Sequence, residues 1–280
     1  MVAVDAAVYG GEGMRKASPT VASRRRRASA VWRPVLLLAV GAYFVLPFVA
    51  ALRYALQSDT GKFSFSAFAG ITSQQGFGPA IGLSLRLLVL TVALTLGLMV
   101  PTAVYVHLRL PRLRRILDGI TILPIVVPPI VLIIGVLDVA PTFAKASPYL
   151  LGFEYVVLAM PFAYRSLAAG LAAIDVKTLF EASRSLGGGP LQTLRRVLVP
   201  NLRAALLSAT VLTVALVLGE FTMASLDQYQ TFPVWIVAFD QNNSHVSTAV
   251  SFLALFATWA LLMVISLLDR RGRTSPAGGE

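Results

Sequence analysis

The chain has 280 residues, of which 56% are hydrophobic and only 13% charged, with a mean hydropathy of +0.75. A soluble domain of average composition carries about 25% charged residues, and disorder requires low hydrophobicity, so both classes are excluded for most of the chain. The absence of cysteine excludes a disulfide framework, a thiolate zinc site and a cysteine nucleophile. The net charge of +11 suggests nucleic acid in a soluble protein, but in a membrane protein it first marks cytoplasmic loops.

Residues 1–30 are rich in Gly, Ala, Ser and Arg, without apolar periodicity, and read as a disordered basic tail ending in Arg24-Arg25-Arg26-Arg27. The apolar stretch that follows is too long for a secretory signal core and reads as an uncleaved span. A bilayer crossing takes about 20 apolar residues. Six segments qualify, near 34–56, 82–107, 116–137, 150–172, 202–226 and 246–268. The third contains Pro124, Pro128 and Pro129 and is expected to be kinked and packed inside the bundle, where neighbours satisfy the freed backbone groups. The fourth carries Glu154 and Tyr155 near its start. The fold class is therefore all-α, a polytopic membrane helix bundle over 31–270 with a second cytoplasmic tail at 271–280.

With the N-terminus in the cytoplasm, twenty of the 24 Lys and Arg residues fall inside and four outside: Arg53, Lys62, Arg86 and Lys145. This bias places both termini in the cytoplasm and accounts for the charge without nucleic acid.

The longest inner loop is 173–201. Asp175 or Thr178 is placed to cap a short helix with Leu179, Ala182 and Leu186 on one face. Gly187-Gly188-Gly189-Pro190 ends it and turns the chain. A second amphipathic helix follows, with Leu191, Leu194, Val197 and Leu198 on one face, and Pro200 marks its end. Such a helix–turn–helix either lies on lipid headgroups with its arginines toward anionic lipid or docks in a partner's groove.

The same segment resembles the cytoplasmic Glu-Ala-Ala motif of permease subunits of binding-protein-dependent ABC importers, of the type I, methionine-importer-like fold. Glu181-Ala182-Ser183 is followed by three residues, Gly187, nine residues, Val197, one residue and then Val199-Pro200. Every spacing matches, with Ser183 in place of the second Ala. The resemblance implies that Glu181, Ala182, Ser183, Gly187, Val197 and Pro200 belong to a coupling helix seated on a cytoplasmic ATP-binding subunit. It implies an ATPase dimer, a second permease of the same or related sequence and an extracytoplasmic substrate-binding protein as partners, in a bacterial inner membrane. The stretch from Gly219 to Ser225, with the segment after it, is similar to permeases of the polyamine, phosphonate and ferric-iron group.

No Gly-x4-Gly-Lys-Ser/Thr run is present, so the chain itself is not expected to bind ATP, and no cofactor is expected. His107 and His245 are placed on opposite sides of the membrane and cannot share a metal. Arg86 and Glu220 each lie under about 10 Å below the outer boundary. Two readings are open for them: an ion pair at an outer gate, or separate snorkelling to the interface. Ser208, Thr210 and Thr213 either line a path or pack helices. Trp235, in an outer segment at 227–245, is expected to anchor an interfacial or re-entrant helix. The middle of the bilayer carries no charge, which disfavours the alternative of a stand-alone secondary carrier or channel. No metalloprotease motif or serine–histidine pairing suggests an enzyme.

Overall fold

The computed structural model describes residues 22–57, 61–110 and 112–271. The expected tails at 1–30 and 271–280 lie outside the described residues up to residue 21 and from residue 272. The chain divides into two compact units, Met1–Ala50 and Ala51–Glu280.

The first unit holds most of α1 (Ala22–Ala55), whose first residue precedes the Arg run. Its apolar stretch Trp32–Ala55 is long enough to cross a membrane, and every position from 32 to 50 is exposed. Exposed Leu, Val and Phe along such a helix suit lipid or another chain, not water.

The second unit is built on three long helices: α2 (Phe77–Arg109), then after a broken segment α6 (Tyr149–Ala172), then α9 (Arg203–Gly219). Each packs against the other two. Between α2 and α6 lie α3 (Arg114–Ile120), α4 (Leu123–Val126) and α5 (Pro129–Val139). After α6 come α7 (Val176–Ser185) and α8 (Pro190–Thr193), and after α9 come α10 (Thr222–Leu226), α11 (Phe232–Asp240) and α12 (Ser244–Arg271). Five helices are long and apolar enough to span a membrane, or six if the bent segment 116–139 is one span, as the sequence suggests.

Two of the expected spans are broken. The third bends by 96° between Ile116–Val126 and Pro129–Val139. Pro128 and Pro129 donate no N–H, and Val127 before them is driven to extended backbone at φ −79°, ψ 121°. Contrary to the expectation of a helix packed inside the bundle, Ile133 is its one buried residue among those described. The fifth breaks at Glu220, whose backbone is extended (φ −80°, ψ 119°) before α10 begins.

Apolar side chains gain little by leaving lipid for a protein interior, so helix association there depends on close contact. Two glycines of α6 supply it. A Cβ on Gly170 would lie 2.4 Å from the Ala205 Cβ on α9, and one on Gly152 would lie 2.7 Å from Leu90 Cδ2 on α2. Thr91 on α2 also donates its hydroxyl hydrogen to the Gly152 carbonyl at 3.3 Å. One core cluster, including Met99, Val104, Leu167, Leu171 and Leu202, lies at the α7 end of the bundle. A second, including Leu87, Leu151, Tyr155 and Met223, lies at the other end. A third joins the end of α1 to α11 and α12 around Trp235.

Gly170→Val is expected to lower the unfolding temperature of the detergent-solubilised chain, since overpacking costs about 1–3 kcal/mol. Ala205→Gly in the same chain should restore part of the loss. Equal damage with and without Ala205→Gly would show that the α6–α9 approach is not the cause.

Candidate functional site

The loop 173–201 forms a helix, a glycine turn and a second helical arm in the expected order, with details set by hydrogen bonds. Asp175, not Thr178, caps α7: its carboxylate accepts from the Thr178 amide at 3.1 Å and from the Thr178 hydroxyl at 2.7 Å. These bonds, the hydroxyl's first, hold the exposed Asp175 carboxyl below its ordinary range. Glu181 takes no part in the cap. It is exposed and stands 3.9 Å from Lys177 one turn earlier, a loose surface pair.

α7 ends in a left-handed residue, Gly187 at φ +81°. The Gly187 amide donates to Arg184 O and the Gly188 amide to Ser183 O, each at 2.9 Å. This pair of bonds is a Schellman closure, which satisfies two of the free carbonyls at a helix end. Gly188 is equally constrained, because a Cβ there would lie 2.8 Å from Ser183 O. Pro190 then opens α8 at a position where its missing N–H costs nothing.

Ser183, the residue that departs from the Glu-Ala-Ala pattern, ties the two arms together. The buried Thr193 donates its one hydroxyl hydrogen to Gly189 O at 3.0 Å. Ser183 Oγ, 2.7 Å away, must then donate to Thr193 Oγ1. The chain continues through a π-helical turn, Leu194–Leu198, into Val199–Asn201. Pro200, without an N–H, stands two residues after the end of that turn. Leu198 is buried in the core, Val197 is half-buried, and Arg195 and Arg196 are exposed.

The apolar face of α7 is not turned as its periodicity suggests. Val176 is buried and Leu179 half-buried against the bundle, while Ala182 is exposed and Leu186 is 90% exposed. Leu191 on α8 is 76% exposed. An apolar groove of about 600 Å³, lined in part by Tyr105, Leu108, Phe180, Leu191 and Leu198, runs between this loop and the end of α2.

At the other end of the bundle the structure does not join Arg86 to Glu220. Arg86 is exposed, and the Glu220 carboxylate instead accepts from the amides of Met223 at 2.9 Å and Ala224 at 3.4 Å. It supplies acceptors to the free donors that α10 presents after the break. Thr210 and Thr213 donate to carbonyls four residues earlier in their own helix, α9, and Ser208 alone of the three pairs across helices, with Ser166 on α6 at 3.3 Å. Trp235 is buried rather than interfacial, with its indole N–H donating to Gln75 O at 2.9 Å and its ring stacked between Phe232 and Phe239. His245 stacks on Tyr54. Among the described residues no three His, Cys, Asp or Glu side chains are gathered to hold a metal ion.

Fold and loop together define an all-α, polytopic membrane protein that presents a rigid helix–turn–helix at one end. The chain belongs to the family of inner membrane components of binding-protein-dependent transport systems, the permeases of ABC importers, whose family model matches residues 93–271. It is 25% identical to the probable transport system permease protein NifC of Clostridium pasteurianum, over 85% of this chain and 88% of that protein. It is also 32% identical to the Fe(3+)-transport system permease protein FbpB 2 of Haemophilus influenzae, over 40% of this chain and 22% of that protein. Membership makes the chain a transport subunit rather than an enzyme.

Nothing in the sequence spacing marks Thr193, and Glu154, named there only for its place near a helix start, is 2% exposed with neither carboxyl oxygen hydrogen-bonded. Gly188→Ala is expected to open the turn and expose α7 to added protease many times faster than in wild type. Ser183→Ala should do so more mildly, by about the factor of 5 that the loss of 1 kcal/mol allows. Unchanged cleavage rates in both variants would contradict the hydrogen-bonded turn.

Proposed function

We propose that this permease docks a separate cytoplasmic ATPase through the loop 173–201. In this reading ATP hydrolysis takes place on that partner, and the chain forms half of a translocation pathway. The observation that carries the reading is that Leu186 and Leu191 stand 90% and 76% exposed on either side of a turn held by its own hydrogen bonds. Exposed leucines on a fixed element, rather than a mobile one, suit insertion into a cleft, because little order is lost on docking. A rigid turn also transmits displacement: α7 and the π-helical turn Leu194–Leu198 share a core with α2, α6 and α9, so a push on the turn is a push on the bundle.

In this reading both termini lie in the cytoplasm. Closure of an ATPase pair moves two permeases between inward-open and outward-open states, and a binding protein delivers the solute from outside. The second permease is a copy of this chain or a relative. The solute is a small one such as a polyamine, a phosphonate or ferric iron, and the similarity to an Fe(3+)-transport system permease of Haemophilus influenzae supports keeping ferric iron in that group.

An affinity-tagged chain solubilised from native membranes is expected to bring down an ATP-binding protein, and Gly187→Val to lose most of it. Valine at φ +81° costs about 1–2 kcal/mol of backbone strain and turns Leu191 away from Leu186. Retention of the ATPase by the variant, or its absence from wild type, would overturn the docking role. Because the chain has no cysteine, single cysteines are clean topology probes. Ser185→Cys in intact cells should resist an impermeant thiol reagent until the membrane is opened, and labelling beforehand would refute the orientation.

A further inference from the structure

The apolar groove of about 600 Å³ lies between the last turns of α2 and the loop 173–201. On its α2 wall Pro101, Tyr105 and Arg109 recur every four residues and form one stripe. Phe180, Leu191 and Leu194 face them from the loop. Thr102, also in the wall, spends its hydroxyl hydrogen on Leu98 O at 2.6 Å. Arg109 is the one charged residue among the described lining, and it is the last residue of α2.

The length of α2 places this groove in a bilayer. Its 33 residues make a helix about 50 Å long. The hydrocarbon layer is about 30 Å thick, and the bilayer with its headgroups about 40–45 Å. The end of α2 therefore reaches headgroup level. The stripe from Pro101 to Arg109 runs about 12 Å back from that end, out of the headgroups and toward the acyl chains. Tyr105 is 59% exposed, at a level where a ring with a polar tip is favoured.

Positive charge collects at the mouth. Arg112 in the turn after α2, and Arg195 and Arg196 on the π turn, are exposed, as is Arg109. None of the four enters an ion pair among the described residues, while Glu181, next to Phe180, has Lys177 at 3.9 Å. A ligand that suits this site has a slim apolar tail and an anionic head. A partner helix, about 10–12 Å across, would seat only an edge here, whereas an acyl chain runs the length of the stripe.

We propose that this groove binds an anionic phospholipid, with an acyl chain along the α2 stripe against Leu191 and Leu194 and the phosphate at Arg109. The lipid braces the loop 173–201 against α2. It requires only that the end of α2 reach a bilayer surface, whether or not an ATPase sits on the loop, and Leu186, on which docking rests, is not part of the groove.

The chain with its partners in nanodiscs tests this through single cysteines, since the wild type has none. Tyr105→Cys in the groove, and Val89→Cys at a position of α2 that is 69% exposed, each carry a fluorophore quenched by brominated acyl chains. At Tyr105→Cys, brominated phosphatidylglycerol is expected to reach half-maximal quenching at about a fivefold lower mole fraction than brominated phosphatidylcholine, the preference that one arginine at headgroup level supports. At Val89→Cys the two lipids should quench alike. Adding Arg109→Gln should remove most of the preference at Tyr105→Cys. Equal quenching by the two lipids at Tyr105→Cys, or a preference unchanged by Arg109→Gln, would overturn the proposal. Quenching by neither lipid at Tyr105→Cys, with normal quenching at Val89→Cys, would assign the groove to a protein partner and overturn it as well. Should the labelled variants fail to assemble, mass spectrometry of the intact wild-type complex decides. Retention of phosphatidylglycerol over equimolar phosphatidylcholine supports the site, and equal retention refutes it.

Discussion

A glycine at φ +81° allows α7 to stop and its last carbonyls to be taken up by the amides of Gly187 and Gly188. A side chain at Gly187 would strain that backbone, and one at Gly188 would strike Ser183 O. The Ser183–Thr193 bond closes the other side of the turn. The placement of the whole loop follows from these few atoms. They hold α8 and the π turn where Leu198 and Leu202 can enter the core shared with α2 and α6. They also leave Leu186 and Leu191 outward, so that an apolar surface is offered by an element with no freedom to fold it away.

The remaining architecture answers a different demand. Backbone donors and acceptors inside a membrane must be satisfied by the protein itself, so each helix break needs a local supply of partners. At Pro128-Pro129 the donors are deleted outright and the chain turns by 96°. At Glu220 the donors survive, and a buried carboxylate accepts from two of them. The same solution keeps a buried carboxylate at the break that ends α9.

Much of this was legible in the sequence. Apolar runs of sufficient length located the spans, because length and hydropathy are properties of a segment alone. The Gly187 turn was legible because glycine followed by glycine and proline has few other uses. The rotation of α7 was not. Leu179, Ala182 and Leu186 share a stripe, but the bundle covers only the Val176 and Leu179 part of it, and periodicity cannot tell a core from a docking surface. Arg86 and Glu220 lie at similar depth, yet depth carries no azimuth, and the carboxylate turned to its own backbone. Trp235 follows an outer-loop pattern typical of interfacial anchors, but Gln75 and two phenylalanines bury it. Glu154 was hidden by its position near a helix start, where a carboxylate ordinarily meets water.

The account turns on whether Leu186 meets a protein surface. A single Leu186→Cys in the cysteine-free chain, treated with a short bifunctional thiol reagent in native membranes, tests this directly. The account predicts one dominant cross-linked product whose partner binds ATP, lost when Gly187→Val is added. Cross-links to no protein, together with a label at this position that is quenched by nitroxide lipids, would place the turn on the membrane surface and contradict it.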